Sequence, residues 1–212
     1  WRTTAYARTL WWQVLQGDEP DALIASPFHR APQLGWRGER TWNWRADDSP
    51  ALMSFESEFN RFALPGSGEP APITPAPPGS AARIEGARWH ALVSAEQRWR
   101  WPGAWLTPRA RLNLAHYRTD APMADGRRSA SRAIPTLSID GGFIFERSTT
   151  WRSRALRQTL EPRLLYVNTP YRSQLSLPLF DSAAKDFNTV SVFSDNAFSG
   201  VDRVSDAHEI TA

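Results

Sequence analysis

Several residue types and patterns are missing from this sequence. It has no cysteine, which excludes an internal disulfide framework and a thiolate metal site within these 212 residues. Lys185 is its only lysine, so its positive charge is almost entirely arginine, spread along the whole chain. A net charge of +3 without a clustered basic stripe argues against nucleic-acid binding. No window approaches about 18 consecutive apolar residues, so the sequence contains no transmembrane helix.

Motifs for catalysis are also missing. The sequence has no nucleophile elbow, no P-loop and no dinucleotide-binding glycine motif. Asp47 and Asp48 are predicted to form a charged hairpin turn rather than a catalytic dyad. We therefore predict no enzymatic activity, no catalytic residue, no metal site and no cofactor. The histidines have no ligand spacing with each other or with a carboxylate run: His29, His90, His116 and His208.

The ends of the sequence lead us to expect a piece of a longer protein. It begins at Trp1 and stops within HEITA, which has the pattern of a starting strand. The absence of a signal peptide therefore says nothing about location. The absence of cysteine likewise leaves the redox compartment open.

Apolar and polar residues alternate along most of the chain, and no stretch keeps a helical period over three turns. Strict alternation predicts half-buried antiparallel strands. At roughly a dozen residues, most are longer than the usual five to six of soluble sheets and long enough to cross a bilayer at a tilt. The sequence predicts seven strands, at 4–15, 34–45, 55–60, 88–101, 106–117, 136–146 and 152–168.

The predicted connections alternate between long and short. This rhythm is typical of an outer-membrane barrel, which has tight periplasmic turns and long external loops. The loop at 65–82 is rich in proline and glycine and is predicted to be a mobile tip. We expect an all-β fold, a partial antiparallel transmembrane β-barrel of about seven to eight consecutive strands. The predicted connections are 16–32, 46–50, 65–84, 102–104, 119–131, 148–151 and 170–205.

The sequence has eleven tryptophans, a residue that favours either a core or a membrane boundary. One interpretation is an aromatic belt at one membrane interface; the other is a set of core aromatics at hairpin ends. Their gathering at one end of the sheet favours the belt. Six lie near the predicted short turns: Trp42, Trp44, Trp99, Trp101, Trp105 and Trp151.

In such a barrel the apolar face of each strand meets lipid and the charged face lines the lumen. An arginine facing lipid at mid-bilayer costs roughly 2–4 kcal/mol. Arg40 is the exception on an apolar face, explained either by a position near the interface or by a slip in register. The residues predicted to face inward are Arg37, Arg98, Arg109, Arg111, Glu58, Glu96 and Glu161.

Pro162 interrupts the last predicted strand. Proline donates no ladder hydrogen bond, so we predict a bulge or a local break in the ladder there. Gly141 and Gly142 are predicted to allow a kink or a close backbone approach in the preceding strand. Because side chains alternate between the two faces of a strand, Glu161 and Arg163 are predicted to face the lumen together.

The same region carries a family resemblance. LEPRLLYVNTPYRSQLSLPLFDS from residue 160, DFN at 186–188 and NAFSGVDRVSDAHEIT at 196–211 resemble the C-terminal domain of the LPS-assembly protein family LptD, also called OstA. Upstream segments fit in the same order, namely PFHRAPQL, FESEFNRF and IPTLSIDGGFIFERS. Ala197 stands where the family usually has arginine, so a role of that arginine does not carry over.

The resemblance implies a function and a set of partners. Family members form a large outer-membrane barrel that inserts lipopolysaccharide (LPS) into the outer leaflet and that holds an LptE-like plug lipoprotein. It also implies a periplasmic Lpt bridge, reached through an N-terminal domain that this stretch lacks, and the barrel-assembly machinery. Residues 1–212 are then part of a single barrel domain in the Gram-negative outer membrane.

Five residues are candidates for contacts with the lumen, the plug or LPS. Glu161 and Arg163 fit either such contacts or a charge ladder that stiffens the wall. Asp181, Asp202 and Arg203 lie in the longest loop, and loops of that length are commonly functional. Phe180, in the same loop, is a further candidate for such a contact. Arginines that face the lumen could bind lipid A phosphates through charge-assisted hydrogen bonds.

Two other functions remain open at this stage. A general diffusion porin obeys the same barrel rules but does not share the motifs above. A soluble all-β carbohydrate-binding protein would use its tryptophans to stack on sugars, although the alternating loop lengths argue against it.

Overall fold

The computed structural model describes residues 1–12, 27–43, 49–64, 83–188 and 191–212. Within them a 3-10 helix covers Ser191–Phe193. None of the helices in this part of the chain is long and apolar enough to cross a membrane. The strands are β1 (Arg2–Leu10), β2 (His29–Trp42), β3 (Ala51–Ala63), β4 (Gly86–Gln97), β5 (Trp99–Trp101), β6 (Ala104–Thr119), β7 (Ser129–Phe143), β8 (Phe145–Trp151), β9 (Arg154–Leu160), β10 (Arg163–Thr169) and β11 (Ala207–Thr211).

The strands form one antiparallel sheet and one separate hairpin. The sheet order is β1-β2-β3-β4-β6-β7-β10-β11, with β5 paired to the start of β6, and β8 pairs with β9 alone. Most strands pair with the next long strand along the chain, because strict alternation favours antiparallel hairpins over crossovers. The predicted all-β antiparallel fold is confirmed.

The last short turn was placed wrongly by the sequence prediction. Residues 148–151 were expected to form it, but they belong to β8, and the turn is Arg152–Ser153. Both turn residues have positive φ, 49° and 62°. Two-residue hairpin turns need this geometry, and their usual marker is Asn-Gly or Gly. Arg-Ser carries no such marker, which explains the error.

The predicted break at Pro162 is confirmed, and it divides the expected strand 152–168 into β9 and β10. The register is the same on both sides, since Gly142 pairs with Arg163 and Phe145 pairs with Leu160. The Pro162 carbonyl accepts a bond of 3.0 Å from the Phe143 amide, so its missing N–H leaves the acceptor side of the ladder intact. A Cβ on Gly142 would meet that carbonyl at 2.8 Å, which explains the glycine by close backbone approach.

The two faces of the sheet have opposite chemistry. One face, here called the outward face, exposes large apolar side chains, among them Leu34, Trp36, Trp89, Leu137 and Ile139. The other, here called the polar face, carries buried polar side chains beneath the loop that joins β10 to β11, here called the long loop. A small apolar core lies between the polar face and the loops, formed by Phe28, Phe62, Ala115, Tyr117, Met123, Ala130, Leu177 and Phe180.

The expectations about inward and outward residues are met in most places. Glu58 and Glu96 are buried on the polar face, and Arg109 shares that face beside Glu96. Arg40 remains on the outward face opposite Met53, in an unbroken register two residues before the end of β2. It therefore lies near the end of its strand, and the alternative of a register slip is wrong.

One tryptophan of the predicted belt lies on the wrong face. Trp105 packs on the polar face, where its ring lies under the Arg163 guanidinium at 5.8 Å. Its neighbours Trp99 and Trp101 follow the outward parity and pair with Leu106 and Ala104. Parity within β6 could have shown this, since Trp105 is in phase with Arg109 and Arg111.

Some predictions fall on residues outside the described ranges. These are Trp44, Asp47 and Asp48, the loop at 65–82 and the predicted strand ends at 13–15 and 44–45.

Candidate functional site

The polar face and the long loop meet at Arg88. Its guanidinium donates to both carboxylate oxygens of Asp181, at 2.8 and 2.7 Å, and to Oδ1 of Asp202 at 2.7 Å. Strand β4 places Arg88 on the polar face because it alternates with Trp89, which points outward. The Arg88 side chain is 1% exposed and that of Asp202 is 0% exposed. A charge buried this completely requires such partners.

Asp202 also organises the loop backbone. Its Oδ2 accepts hydrogen bonds from the amides of Phe180 and Asp181, at 2.7 and 2.8 Å. Ser182 Oγ in turn accepts from the amides of Asp202 and Arg203, at 2.8 and 3.1 Å. Residues 180–182 and residues 202–203 of the long loop are therefore hydrogen-bonded to each other, in addition to their contacts with the wall.

A second arginine holds the loop through neutral groups. Arg132, on β7, donates to the Asp202 carbonyl at 2.8 Å and to Asn113 Oδ1 at 3.1 Å, and it also contacts Gln174 and the Val201 carbonyl. Gln174 completes this contact by donating to the Val204 carbonyl at 2.7 Å. Arg132 thus fixes the position of the loop without a carboxylate partner.

Phe180 is the apolar anchor of the loop. Its ring stacks on Phe62 with centroids 4.2 Å apart and planes 3° apart, and it meets the edge of Phe28 at 5.3 Å. Arg88 lies over the other partner in this stack, Phe62, at 4.9 Å. Aromatic contacts of this kind add about 0.5–1.5 kcal/mol beyond area burial. The ion pairs and the aromatic stack therefore hold the same point of the loop.

A second contact region lies further along the polar face. Asp195 forms an ion pair of 2.5 Å with Arg111 on β6. Arg111 is six residues along that strand from Tyr117, the residue that pairs with Arg88. Six residues of strand correspond to about 20 Å. Phe193 packs 4.4 Å from the Arg163 guanidinium, which pairs with Asp140 at 2.8 Å. The loop therefore runs along the wall over a considerable distance and does not merely cover its end.

Charge and burial oppose each other at the two loop carboxylates. Burial by itself would raise the pKa of Asp181, but the hydrogen bonds and charge of Arg88 outweigh it and hold that pKa well below the ordinary value. Burial raises the pKa of Asp202, and the neighbouring Asp181 charge acts in the same direction, against Arg88. One arginine thus serves two carboxylates, with two hydrogen bonds to Asp181 and one to Asp202.

The five residues singled out from the sequence have different positions. Asp181 and Asp202 meet at Arg88, and Arg203 donates to the carbonyls of Leu177, Pro178 and Asp202, at 2.8, 3.2 and 3.0 Å. Arg163 lies in the second contact region. Glu161 is exposed between β9 and β10, and Arg163 forms its ion pair with Asp140 on the neighbouring strand.

Sequence reasoning missed the wall residues that receive the loop. Arg88 is 93 and 114 residues from its two partners, and it looks like any other arginine on an alternating strand. Arg132 on the wall was missed for the same reason, as were Gln174 and Asp195 in the long loop. For Arg88 and Arg132 the available signal was the alternation along β4 and β7, which places both side chains on the polar face.

The arrangement binds the long loop and fixes its position on the polar face through ion pairs and hydrogen bonds. Within the described ranges, no group of three or more histidine, aspartate or glutamate side chains is placed to hold a metal ion. The chemistry offered by the polar face is therefore that of a charged, hydrogen-bonding surface partly covered by a docked loop.

Comparison with known proteins identifies the family. Residues 2–212 match the family described as LptD, LPS transport system D. The chain is 39% identical to the LPS-assembly protein LptD of Polaromonas sp. (strain JS666 / ATCC BAA-500), over 98% of this chain and 24% of that protein. It is 39% identical to the protein of that name from Albidiferax ferrireducens, over 96% and 23%, and 34% identical to that of Azoarcus sp. (strain BH72), over 98% and 24%. The chain thus spans about a quarter of the length of these curated relatives. It belongs to the LptD family.

Proposed function

We propose that this chain is a wall segment of an outer-membrane β-barrel that assembles LPS into the outer leaflet. The supporting observation is the two-faced antiparallel wall, apolar outward and charged inward, with a long loop docked on the charged face. Relatives named LPS-assembly protein LptD support the choice of cargo. Residues 1–212 form part of one barrel domain, and passage along the wall needs no catalytic residue.

The charged face suits an amphiphile that carries phosphate groups. Arginine donates charge-assisted hydrogen bonds to phosphate, and the Arg163 side chain is 42% exposed beside the loop. Arg163 is therefore our best candidate for an LPS contact on this wall. Arg203, whose guanidinium is committed to three loop carbonyls, supports the loop, as do Asp181 and Asp202.

The free surface of the long loop is our candidate for the contact with an LptE-like plug lipoprotein. It exposes large apolar side chains, namely Tyr171, Leu175, Leu179 and Phe187. Exposed apolar clusters of this kind commonly mark protein contacts. The periplasmic Lpt bridge and the barrel-assembly machinery would act on the whole protein, through parts beyond this wall.

The test of function is depletion of the full-length protein in cells that contain no second copy. We expect newly made LPS to stop reaching the cell surface, where an antibody against its outer sugars detects it on intact cells. Uptake of small solutes should stay unchanged. Continued arrival of LPS together with lost solute uptake would instead support a diffusion porin.

The Arg163 contact has a separate test. A photoreactive side chain at Glu161, two residues away and exposed, should crosslink LPS in cells, and Arg163→Ala should reduce the yield. Arg157→Ala, on the exposed hairpin, is the matched control. Equal yields from both variants would remove Arg163 from the pathway and leave the depletion result untouched.

A further inference from the structure

Hairpin β8–β9 extends beyond the rest of the wall. β6 ends against β7 at the pair Ala104–Phe143, and the seven pairs from Phe145–Leu160 to Trp151–Arg154 belong to β8 and β9 alone. Every residue of both strands is exposed. The hairpin nevertheless keeps the register of β7 and β10, so its two faces continue those of the sheet.

The two faces of the hairpin differ in composition. The face continuous with the outward face carries Phe145, Leu160, Leu156 and Trp151 together with Arg147 and Arg154, in the pairs given by the ladder. Phe143 and Phe145 stack across the junction with centroids 6.0 Å apart, so the apolar surface is unbroken there. The opposite face carries Glu146, Thr159, Ser148, Arg157, Thr150 and Ala155. An amphipathic hairpin results, and its apolar side prolongs the side that meets lipid.

The aromatic ends of the outward face show where the membrane lies along each strand. On β5 the last outward aromatic residue is Trp101, in the row of Ala104 and Phe143, and the aromatic residues at the base of the hairpin are Phe143 and Phe145. The end of the aromatic stretch therefore shifts by two residues towards the hairpin between β5 and β8. Barrel strands tilted by about 45° produce a shift of about one to two residues per strand, and two strand-to-strand steps separate β5 from β8.

The same geometry places Arg147 at the level of the phospholipid headgroups. The shift of two residues from the row of Trp101 sets the end of the apolar band at Phe145 and Leu160. Arg147 follows about 5 Å further along the membrane normal, within a headgroup layer about 5–7 Å thick. Trp151, Arg152 and Arg154 follow at the tip. Aromatic rings and arginines in this order are the side chains that membrane interfaces favour.

Charge identifies the lipid. The hairpin carries four arginines, at 147, 152, 154 and 157, and one carboxylate, Glu146, which pairs with Arg157 at 3.2 Å on the opposite face. Arg147, Arg152 and Arg154 therefore give the lipid-facing side and the tip of the hairpin a positive charge. Because the hairpin lies at the end of the short turns, it faces the inner leaflet. We propose that the outward face of hairpin β8–β9 binds anionic phospholipid headgroups of the inner leaflet. This inference rests on the proposed outer-membrane location.

The test uses the full-length protein in lipid nanodiscs with a photoreactive side chain at one of three positions. Thr149 is on the lipid side of the hairpin, Ser148 is on its opposite face, and Leu137 lies in the apolar band. The probe is phosphatidylglycerol with a tagged headgroup, in a phosphatidylethanolamine bilayer. We expect lipid crosslinks at positions 149 and 137 but not at 148. Capture of this lipid at 149 should fall about fivefold with Arg147→Gln, the effect of one cation near an anionic surface, and be unchanged with Arg157→Gln.

The outcomes separate the two proposals. Crosslinks at 137 alone would overturn the hairpin site and leave the barrel wall standing, whereas no lipid at 137 would contradict the wall itself. Equal capture at 148 and 149, or equal effects of the two arginine variants, would also overturn the site. In intact cells, a crosslink from 149 to a protein instead of a lipid would show that this face is a protein interface.

Discussion

Arg88 and Asp202 form an ion pair of 2.7 Å between side chains that are 1% and 0% exposed, across 114 residues of sequence. Because Asp181 shares the same guanidinium, one wall residue fixes both ends of the long loop. Removing one member of a buried ion pair costs about 3–5 kcal/mol, since the partner charge stays buried. The position of the loop on the wall therefore depends on this arginine more than on any surface contact.

We predict that Arg88→Met releases the loop. Lys185, the only lysine in this stretch, is held through its amide by the Ala197 carbonyl at 2.9 Å. Endoproteinase Lys-C should therefore cut after Lys185 at least tenfold faster in the variant, because two buried carboxylates lose their cation. Arg157→Met, on the exposed hairpin, is the control. Equal cutting rates in the two variants would show that the ion pairs do not hold the loop.

Phe180 should matter far more than its neighbour in sequence. Phe180→Ala removes a buried ring from between Phe28, Phe62 and Tyr117, which we expect to cost about 3–5 kcal/mol of loop docking. Leu179→Ala changes a side chain that is 53% exposed and should cost less than about 0.5 kcal/mol. Amide hydrogen exchange over residues 177–204 measures both. Similar exchange in the two variants would contradict the assignment of Phe180 as the anchor.

A charge exchange tests the second contact region. Arg111→Asp and Asp195→Arg should each speed hydrogen exchange around Ser191–Phe193, and the double variant should recover part of the loss. Because both side chains are partly exposed, we expect a coupling of about 1 kcal/mol or less. A double variant that behaves as the sum of the single ones would indicate that the pair does not hold the loop.

Acid should release the loop only at low pH. The Asp181 pKa is lowered from the ordinary value of 3.8, so the contribution of this carboxylate to docking is complete above pH 3.8 and is lost as the pH falls below it. The raised pKa of Asp202 acts in the opposite sense, because its protonation relieves a buried charge. We therefore predict no change in the mobility of a spin label at Phe187 between pH 7 and 5. Release of the loop between pH 7 and 5 would contradict the claim that the Arg88–Asp181 ion pair is the main contact that holds it.

The strands and their faces were predictable because alternation with a period of two is a local property. Trp89 outward and Arg88 inward follow from parity alone, and so does most of the polar face. The turn at Arg152 was not predictable in the same way, since its positive φ values occur without glycine or asparagine. The contacts of Arg88 were out of reach because they join residues that only the folded loop brings together.

The candidate site residues show the same difference between local patterns, which could be predicted, and contacts between distant residues, which could not. Asp181 and Asp202 were predicted because they lie in a long loop that carries the family motifs. Their partner, Arg88, was not predicted. Parity placed Glu161 and Arg163 on the same face, but it could not show that the partner of Arg163 is Asp140 on the neighbouring strand. Cross-strand register decides such pairs, and register is not a local property of sequence.

The central claim is that this wall spans the outer membrane with the long loop outside and the Arg152–Ser153 turn inside. Its most direct test is labelling of intact cells with a membrane-impermeant maleimide. Single cysteines replace Phe187, which is 91% exposed in the loop, and Arg152 in the turn, in the full-length protein. We predict labelling at 187 in intact cells and at 152 only after the outer membrane is opened. Equal labelling at both positions in intact cells, or at neither until the cells are broken, would contradict the account.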